Sequence, residues 1–537
     1  MELVLAQLIY DDFKEGLWLP VNLKVYGSPT SLLQAKNVEY FVAGDGKIKM
    51  RGRRAINRIN TAPIQDPSAP DYVYALYRHY RRNGTEYLLG IYKDGATATL
   101  KHDSNDDGAF ESIASVTSTV TLSGTRFYFA TWPSQDKTFF TSNNTLDGLK
   151  YYDPGSAPAV ATQAISGVAV DGPYLTVWKD RLWVTKASEI NYSVYASEIN
   201  DPATFTGTTQ LSVNDPEGGL ITGLVAYGDS LLIFKNTGVW RFTGDPEFGD
   251  AQLVQYCPIG CVAPDTIDII PGMGIIYLSQ YGLRLTDGQD PEGISLSSAV
   301  ESLFITPTTQ TTYSTSFGKY FPRKKKYYLF LNTATTGVAP TPYTLTFLST
   351  NPTGKVDKYI WAQESWLQSQ ANTTNSTTLI YCLANEPSEG DNGDFFAGDD
   401  DGKVWEVDTG SLDTDLTTTY SVFPKVQTHF LPMDAEGGGQ RLSRISRVYV
   451  EYRGQYALAC ELRYDQDYSD QAIFTLGESP LAYKYIQGWY SVYQHGQKGR
   501  TASLVITLPS DASETELNKI IMHVIHRGVK ARINVVA

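Results

Sequence analysis

One three-strand unit recurs along most of the sequence and limits the folds that this chain can adopt. It consists of a strand, a tight polar turn, a more apolar strand, a glycine turn and a third, alternating strand. Its clearest copy is LVAYGDSLLIFKNTGVWRFTG at residues 224–244. The second strands of seven such units are predicted to begin at Glu86, Lys137, Arg181, Ser230, Gly274, Lys326 and Asp394. Successive starts are therefore 51, 44, 49, 44, 52 and 68 residues apart.

This spacing is typical of a β-propeller, in which each blade is a sheet of four short strands built from about 40–50 residues. A β-sandwich would not repeat one hairpin unit seven times. We therefore predict an all-β chain in which residues 70–412 form a propeller of seven blades, with six blades as the alternative. Residue usage agrees, because 36 Tyr and 45 Gly but only five Met favour strands and turns over helices.

The two ends of the chain lack the repeated unit. Residues 413–537 contain longer alternating strands, such as SRVYVEYR and RTASLVITL, which indicate a C-terminal β-sandwich. Residues 1–69 are expected to form an extended N-terminal arm. This arm would contain a hairpin at Gly44–Gly46, where glycine supplies the positive φ angles. The sequence therefore predicts an arm, a propeller and a sandwich in that order.

The overall charge excludes some functions. The chain has a formal net charge of −14, whereas a protein that grips nucleic acid normally has a basic surface, because phosphate contacts release counterions. No apolar run approaches the roughly 20 residues needed to cross a bilayer. The N-terminal MELVLAQLIYDDF also lacks the basic start of a secretory signal. We therefore expect a soluble chain without membrane insertion.

One short segment has the opposite charge. Between residues 47 and 58, six basic residues occur without an acidic residue among them, namely Lys47, Lys49, Arg51, Arg53, Arg54 and Arg58. The alternation of Lys47, Ile48, Lys49, Met50 and Arg51 predicts a strand with one basic face and one apolar face. The apolar face is expected to pack on the protein itself, and the basic face is expected to contact something acidic.

Three short motifs suggest chemistry but fit turns better. GDSL at Gly228–Leu231 spells an esterase nucleophile block, yet both neighbours are predicted strands and no DxxH supplies the base. DSNDDG at Asp103–Gly108 resembles the first half of a Ca²⁺ loop. Because Ala114 stands where the bidentate Glu is needed, an Asx turn is favoured over a bound ion. CPIGC at Cys257–Cys261 lacks partner Cys or His spacing and is interpreted as a turn after a strand. We expect no enzymatic activity, no cofactor and no metal site.

The predicted arm carries a spaced pattern that points to a family. In GSPTSLLQAKNVEYFVAGDGKIKMRGRRAIN, the pattern A.N is followed by a close match to G.L..R.G...N, at Ala35, Asn37, Gly46, Ile48, Arg51, Gly52 and Asn57, with Ile in place of Leu and Gly52 one position early. This resembles the opening of the tail nozzle or tail hub proteins of short-tailed bacteriophages (podoviruses). Later segments in matching order, among them PYLTVWKDRLWV, DPATF and AGDDDGKVWEVDTG, extend the resemblance over nearly the whole chain.

The resemblance implies a structural protein of the virion tail, made in the host cytoplasm, and no enzyme. Such proteins form a ring, commonly a hexamer, below the portal and its head-to-tail adaptor, with tail fibre or needle proteins as further partners. Genomic double-stranded DNA passes through the lumen during ejection without tight binding. The basic face is then expected to contact the adaptor or a neighbouring subunit, through Lys47, Lys49, Arg51, Arg53 and Arg54. DNA is the second alternative for that face, and a merely solvated strand is the third.

A second function stays open at this point. The chain could instead be a carbohydrate-binding or depolymerising propeller of a tail fibre or cell surface, which would need a concave face with clustered Trp and paired carboxylates. It could also be a scaffold propeller of a cellular complex, which would lack the phage-like arm.

Overall fold

The fold is given by a computed structural model, and the described residues consist mainly of strands. The described residues are 6–19, 31–61, 72–94, 97–105, 107–113, 119–121, 126–142, 147–155, 157–247, 250–287, 293–304, 313–332, 340–349, 356–366, 379–385, 393–416, 418–420, 422, 424–429, 431–432, 443–454, 457–464, 467–476, 484–491, 501–508 and 515–526. The 3₁₀ helices within them are Pro133–Gln135, Ala187–Glu189, Gly207–Thr209, Ser298–Leu303, Tyr313–Thr315 and Pro322–Lys324.

The strands are numbered along the chain. The N-terminal strands are β1 (Ala6–Tyr10), β2 (Gly16–Leu17), β3 (Ser31–Lys36), β4 (Val38–Val42), β5 (Ile48–Gly52) and β6 (Ile56–Arg58). The following strands are β7 (Val73–Tyr80), β8 (Glu86–Asp94), β9 (Thr97–Asp103), β10 (Glu111–Ser112), β11 (Thr119–Thr121), β12 (Phe127–Trp132), β13 (Lys137–Ser142), β14 (Lys150–Asp153), β15 (Ala159–Thr162), β16 (Ser166–Gly167), β17 (Leu175–Trp178), β18 (Arg181–Thr185), β19 (Ser193–Ala196), β20 (Thr204–Phe205), β21 (Gln210–Ser212), β22 (Ile221–Tyr227), β23 (Ser230–Lys235), β24 (Val239–Thr243), β25 (Gln252–Cys257), β26 (Ala263–Ile270), β27 (Gly274–Ser279), β28 (Gly282–Thr286), β29 (Ile294–Ser295), β30 (Phe317–Phe321), β31 (Lys326–Leu331), β32 (Thr341–Leu348), β33 (Lys358–Gln363), β34 (Ile380–Asn385), β35 (Phe395–Asp399) and β36 (Val404–Val407). The C-terminal strands are β37 (Asp413–Asp415), β38 (Thr418–Tyr420), β39 (Lys425–Thr428), β40 (Leu431–Pro432), β41 (Ser443–Gly454), β42 (Leu458–Tyr464), β43 (Asp467–Leu476), β44 (Lys484–Ser491), β45 (Thr501–Thr507) and β46 (Glu516–His526).

Seven antiparallel sheets follow one another between residues 73 and 407 and form the blades of a propeller. Blade 1 is built on β7–β11, blade 2 on β12–β15, blade 3 on β17–β19 with β21, and blade 4 on β22–β25. Blade 5 is built on β26–β29, blade 6 on β30–β33, and blade 7 on β34–β36. The prediction of an all-β fold with a seven-bladed propeller is therefore confirmed.

The second strand of each blade begins where the repeat predicts it. β8, β13, β18, β23, β27 and β31 start at the predicted residues, and β35 starts at Phe395, one residue after the predicted Asp394. These strands are almost continuously buried, as in β31, where all six residues are inaccessible. A strand covered by neighbouring blades on both faces has no solvent side, and this explains why its central residues are mostly apolar.

The seven blades close into a complete circle. The first strand of each blade lies at the centre next to the first strand of the following blade, and β34 of blade 7 lies next to β7 of blade 1. Apolar side chains fill the junctions between neighbouring blades. At the closing junction, Val73 and Leu88 of blade 1 pack with Phe396 and Val404 of blade 7.

The N-terminal segment supplies the next strand of blade 7. β6 pairs antiparallel with β36, so that Ile56 lies opposite Val407 and Arg58 lies opposite Trp405. Ile56 also packs in the apolar cluster between blades 6 and 7. The division expected at residue 69 differs from the structure here, because β6 belongs to the propeller sheet although it precedes blade 1 in sequence.

Two further sheets form the sandwich. One has the order β4-β5-β46-β41-β44, with β1 beside β46, and the other continues the sheet of blade 6 through β3, β39, β45, β42 and β43. The C-terminal sandwich is therefore confirmed. Its N-terminal strands β1, β3, β4 and β5 come from the predicted arm, so the described part of that arm is built into the folded body.

A single apolar cluster connects the sandwich to the propeller. It includes Val450 and Leu504 of the sandwich together with Leu329 and Trp361 of blade 6. Trp361 is fully buried, and its indole Nε1 donates a hydrogen bond to the Leu296 carbonyl of blade 5 at 2.8 Å. Because burial of apolar area is the main favourable term in folding, this shared core holds the two units together.

Candidate functional site

The basic strand predicted from the sequence exists as β5, and its two faces differ as expected. Ile48 and Met50 are buried in the sandwich core. On the other face, Lys47 Nζ lies 2.5 Å from an Asp11 carboxylate oxygen. Lys49 is buried and donates to the backbone carbonyls of Asp11 at 2.7 Å and Asn518 at 2.9 Å. The acidic and polar partners of these lysines thus lie within the same chain.

Arg53 is the most deeply enclosed member of the predicted contact set. It is only 2% exposed, and its guanidinium forms a two-pronged ion pair with Asp413, at 2.8 and 3.0 Å. Its Nη2 also donates to the Ser365 carbonyl at 2.7 Å. Arg54, the next residue, is exposed. Lys49 and Arg53 are therefore buried and paired within the chain, which removes both from the surface. The contact of this segment with another protein stays a prediction for Lys47, Arg51 and Arg54.

Arg51 leads into a second buried network, centred on Glu39. The Glu39 carboxylate is 4% exposed and lies 3.0 Å from Arg51 Nε and 2.8 Å from Lys326 Nζ. Lys324 is also close, at 3.9 Å, and it pairs with Asp408 at 2.7 Å. This network links the sandwich hairpin to blade 6 and to the end of blade 7.

The electrostatics of Glu39 are set by two opposing effects. Burial raises the pKa of Glu39, but the charges of Lys326, Arg51 and Lys324 more than offset burial and lower the pKa to about 2. An unfolded Glu has a pKa of about 4.3. The ionised carboxylate therefore stabilises the fold above about pH 4.3, and this stabilisation is lost as the pH falls towards 2.

We expect Glu39→Gln to lower the free energy of unfolding at pH 7, because Lys326 would be left buried beside a neutral amide. The difference from the parent chain should shrink between about pH 4.3 and pH 2 as the parent carboxylate takes up its proton. Urea denaturation midpoints measured across this range test the prediction. Glu217→Gln, at an exposed glutamate, is the control and should follow the parent at every pH. A constant difference between Glu39→Gln and the parent would contradict the prediction.

Several residues of the pattern that begins at Ala35 and Asn37 lie at this same joint. Asn37 is 3% exposed and has a positive φ of 56°, a conformation that Asn tolerates better than most residues. Its Oδ1 accepts the Ser365 backbone N–H at 2.7 Å and Arg53 Nε at 3.3 Å. Ala35 and Gly52 are buried beside it. The pattern therefore corresponds to a junction between the sandwich and blades 6 and 7.

Part of this network was accessible to sequence reasoning. A hairpin turning at Gly44–Gly46 places Glu39 opposite Arg51, as the structure has it, so the acidic partner of Arg51 followed from the predicted turn. Asp413 and Lys326 lie 360 and 287 residues along the chain from Arg53 and Glu39, respectively. No local pattern connects such distant residues.

A small cavity of about 280 Å³ lies at the centre of the propeller, and every blade contributes to its wall. The polar lining includes Arg78, Arg126, Tyr174, Thr222, Asp265, Lys319 and Asn385. The volume falls just below the range of about 300–1,000 Å³ that is usual for small-molecule sites. The cavity is thus slightly smaller than a usual small-molecule site and cannot admit a duplex.

Arg126 bridges the centre of the propeller. This residue precedes the first strand of blade 2, and its Nε lies 2.6 Å from Asp265 of blade 5 across the cavity. Its other nitrogens donate to the carbonyls of Tyr381 at 3.2 Å and Thr315 at 2.9 Å. Burial raises the pKa of Asp265, an effect that Arg126 partly offsets. Arg126 thus connects the start of blade 2 with blade 5, with blade 7 and with the segment before blade 6.

The motifs that suggested chemistry are turns in the structure. GDSL forms the two-residue turn between β22 and β23, with Tyr227 opposite Ser230. Asp103 accepts backbone N–H groups from Asn105, Asp107 and Gly108 at 2.9–3.4 Å. The predicted turns at both places are confirmed.

The two cysteines of CPIGC are both buried. Cys257 ends β25, and the Cys261 thiol donates to the Ala263 carbonyl at 3.2 Å. Burial raises the pKa of Cys261 to about 12, so this thiol stays protonated at neutral pH. The CPIGC segment is therefore a turn after a strand, as predicted.

Within the ranges given above, no group of three or more His, Cys, Asp or Glu side chains is arranged to hold a metal ion. None of the helices in the same ranges has the length and hydropathy of a membrane span.

Comparison with known proteins gives structural neighbours only. No protein-family profile and no curated protein matches the sequence. The extracellular domain of a one component system from B. thetaiotaomicron is 11% identical, with a TM-score of 0.37, 91% of this chain covered and 62% of that one. The WD40 domain of Neurospora crassa Pan2 is 9% identical, with a TM-score of 0.38 and coverages of 68% and 98%. Exo-beta-1,3-galactanase from Phanerochaete chrysosporium is 10% identical, with a TM-score of 0.26 and coverages of 90% and 100%.

These neighbours do not inform the function. All three TM-scores are below 0.5, and the chain spans about three-fifths of the length of the B. thetaiotaomicron domain. A proposal for the function must therefore rest on the sequence and structure of this chain.

Proposed function

We propose that this chain is a structural component of the tail of a short-tailed bacteriophage, forming a ring below the portal and adaptor through which genomic DNA passes. The observation that carries the proposal is the role of the phage-like pattern in the fold. Asn37 and its neighbours form the joint between sandwich and propeller, where Arg53 and Asp413 are paired out of solvent. A joint of this kind makes a stiff building block, which suits a wall that must withstand a packaged genome.

The centre of the propeller is not the path that this proposal needs. The cavity there holds about 280 Å³ and is crossed by the Arg126–Asp265 pair. DNA would instead pass through a lumen enclosed by several copies. Six chains of −14 each carry −84, and repulsion from this charge would keep a duplex off the wall within a screening length of about 10 Å at 0.1 M salt.

The carbohydrate alternative has less support. Clustered, solvent-facing Trp side chains are what a glycan-binding propeller would need. Seven of the nine Trp residues are instead buried in the structure, namely Trp132, Trp178, Trp183, Trp240, Trp361, Trp366 and Trp405.

The proposal is tested by assembly and by DNA binding. The full chain, alone and mixed with the portal and adaptor proteins of the same virus, should give ring particles in negative-stain images and a discrete multiple of the 59.4 kDa protomer in mass photometry. Glycan arrays run on the same preparation test the alternative. A chain that stays monomeric in every mixture would overturn the proposal.

The affinity of the chain for duplex DNA is the second quantity to be measured. The chain should bind duplex DNA no more tightly than the weak end of non-specific binding, a Kd of about 10⁻⁴ M at physiological salt, because most of its basic strand is engaged internally. A gel-shift titration measures this affinity. Micromolar binding would mean that the wall grips DNA, and passive conduction would have to be abandoned.

A further inference from the structure

The three nitrogens of the Arg126 guanidinium each have an acceptor from a different part of the propeller. Nε lies 2.6 Å from a carboxylate oxygen of Asp265 in β26. Nη1 donates to the Tyr381 carbonyl in β34 at 3.2 Å, and Nη2 donates to the Thr315 carbonyl before β30 at 2.9 Å. Cζ lies 5.7 Å from the centroid of the Phe317 ring. A carboxylate, two carbonyls and an aromatic ring thus surround one guanidinium group.

These contacts suit a guanidinium better than an ammonium. A guanidinium is a planar fork whose N–H groups point in fixed directions, and it stacks on aromatic rings, whereas an ammonium is a compact and strongly hydrated point charge. A cation within about 6 Å of an aromatic centroid is also attracted by the ring. Acceptors placed one to each nitrogen, with a ring close to the central carbon, therefore match the shape of this group.

A bulge in β26 positions Asp265 without the help of Arg126. The pairing of β26 with β27 shifts register within residues 263–268, and bulges of this kind re-aim side chains next to functional sites. Thr266 Oγ1, in the same bulge, accepts a β27 backbone N–H at 2.9 Å, and the Thr266 carbonyl accepts the Tyr327 hydroxyl at 2.6 Å. Blades 5 and 6 thus hold the bulge through bonds in which Arg126 takes no part.

The site has room and access for a small molecule. The side chains of Arg126 and Asp265 are 18% and 16% exposed, so solvent reaches the pair. The central cavity of about 280 Å³ lies directly beside it, because Arg126, Asp265, Phe317 and Tyr381 all line that cavity. Truncation of Arg126 to Ala would add the volume of the removed side chain to this space.

We propose that the centre of the propeller is a binding site for guanidinium compounds, and that Arg126 fills it as a ligand supplied by the chain itself. Without this side chain, the site would take a free guanidinium compound in its place. The inference goes beyond the proposed tail function and does not depend on it, since it concerns a single copy of the chain. In the native chain, the filled site holds blade 2 to blades 5 and 7.

The full-length variant Arg126→Ala, with methylguanidine as the added ligand, tests the inference. The melting temperature of the variant should rise with millimolar methylguanidine and then saturate, because a ligand that binds only the folded state stabilises it. Calorimetric titration should give one site per chain with a Kd of about 1 mM, reasonable for a ligand of about five non-hydrogen atoms. Urea, which is planar but uncharged, should have no such effect at the same concentrations. The parent chain, whose site is filled, should not bind methylguanidine.

Two further variants show whether binding occurs at the proposed place. Arg126→Ala combined with Asp265→Asn keeps the space but loses the carboxylate, and its affinity for methylguanidine should be at least about tenfold weaker, because a charge-assisted hydrogen bond is lost. Arg54→Ala, at an exposed arginine, is the matched control and should not respond. Absence of binding to Arg126→Ala, or equal binding to the double variant or to the parent chain, would overturn the inference.

The inference can also be tested if Arg126→Ala does not stay soluble. Its yield of soluble chain on refolding is then measured with millimolar methylguanidine and with urea at the same concentration. A higher yield with methylguanidine that disappears in the Asp265→Asn double variant supports the site. Equal yields with the two compounds, or a gain that the double variant retains, would overturn it.

Discussion

Replacing Arg53 with Ala should lower the free energy of unfolding by about 3–5 kcal/mol, the range for removing one partner of a buried ion pair. Arg53 and Asp413 are both almost inaccessible, at 2% and 1% exposure. The substitution would leave the Asp413 carboxylate without its guanidinium, and the Ser365 carbonyl without its donor. Guanidinium denaturation followed by tryptophan fluorescence measures the change, since seven Trp residues report on buried surroundings.

The neighbouring arginine provides the control for this experiment. Arg54 is exposed, and Arg54→Ala should change stability by no more than about 0.5 kcal/mol. A double variant, Arg53→Met with Asp413→Leu, should recover part of the loss, because it leaves no uncompensated charge inside. Equal effects of Arg53→Ala and Arg54→Ala would show that the buried pair does not stabilise the joint.

Deleting residues 1–60 should prevent the rest of the chain from folding. The deletion removes β1, β3, β4 and β5 from the sandwich and β6 from blade 7, and it exposes core positions that Ile48, Met50 and Ile56 now cover. A separate arm would predict the opposite result, a soluble and folded propeller. Near-UV circular dichroism and size-exclusion chromatography of residues 61–537 decide between the two.

Complementation in trans makes this result specific. Residues 1–60 expressed as a second chain alongside residues 61–537 should restore at least part of the soluble product, since the missing strands pair through backbone hydrogen bonds that need no covalent link. A second fragment with Ile56→Pro should restore less, because it removes the Ile56 N–H that donates to Asp413 Oδ1 at 3.0 Å and places a Pro in the strand beside β36. Soluble, native-like residues 61–537 without any fragment would contradict the interwoven arrangement.

The propeller was largely predictable because its information is local. Each blade repeats hairpins with short turns. Its second strand contains a run of apolar residues that is recognisable in the sequence, as in the strands that begin at Ser230 and Lys326. The placement of the N-terminal strands was not predictable in this way. β5 alternates like any half-buried strand, and nothing near it in sequence indicates that Leu517 lies beside Met50.

The ion-pair partners of the basic segment, residues 47–58, were also hard to predict from local sequence. In the sequence alone, a run of Lys and Arg without acidic neighbours suggests contact with another molecule. In the folded chain, the partners are Asp11, Glu39 and Asp413. The β4–β5 hairpin brings Glu39 near, whereas only tertiary structure brings Asp11 and Asp413 near. A short segment with an excess of basic residues therefore does not by itself predict a basic patch on the protein surface, because distant acidic residues can pair with it in the folded chain.

The interleaving of the two chain ends has a consequence for biosynthesis. β1 leaves the ribosome first, but its partner β46 ends at residue 526, and at about 5–20 residues per second it is completed roughly half a minute to two minutes later. Throughout that time β1 lacks the strand with which it pairs. The delay also acts as a check on translation. A chain released early lacks β46, the strand on which β1, β5 and β41 pair, so its sandwich would remain incomplete.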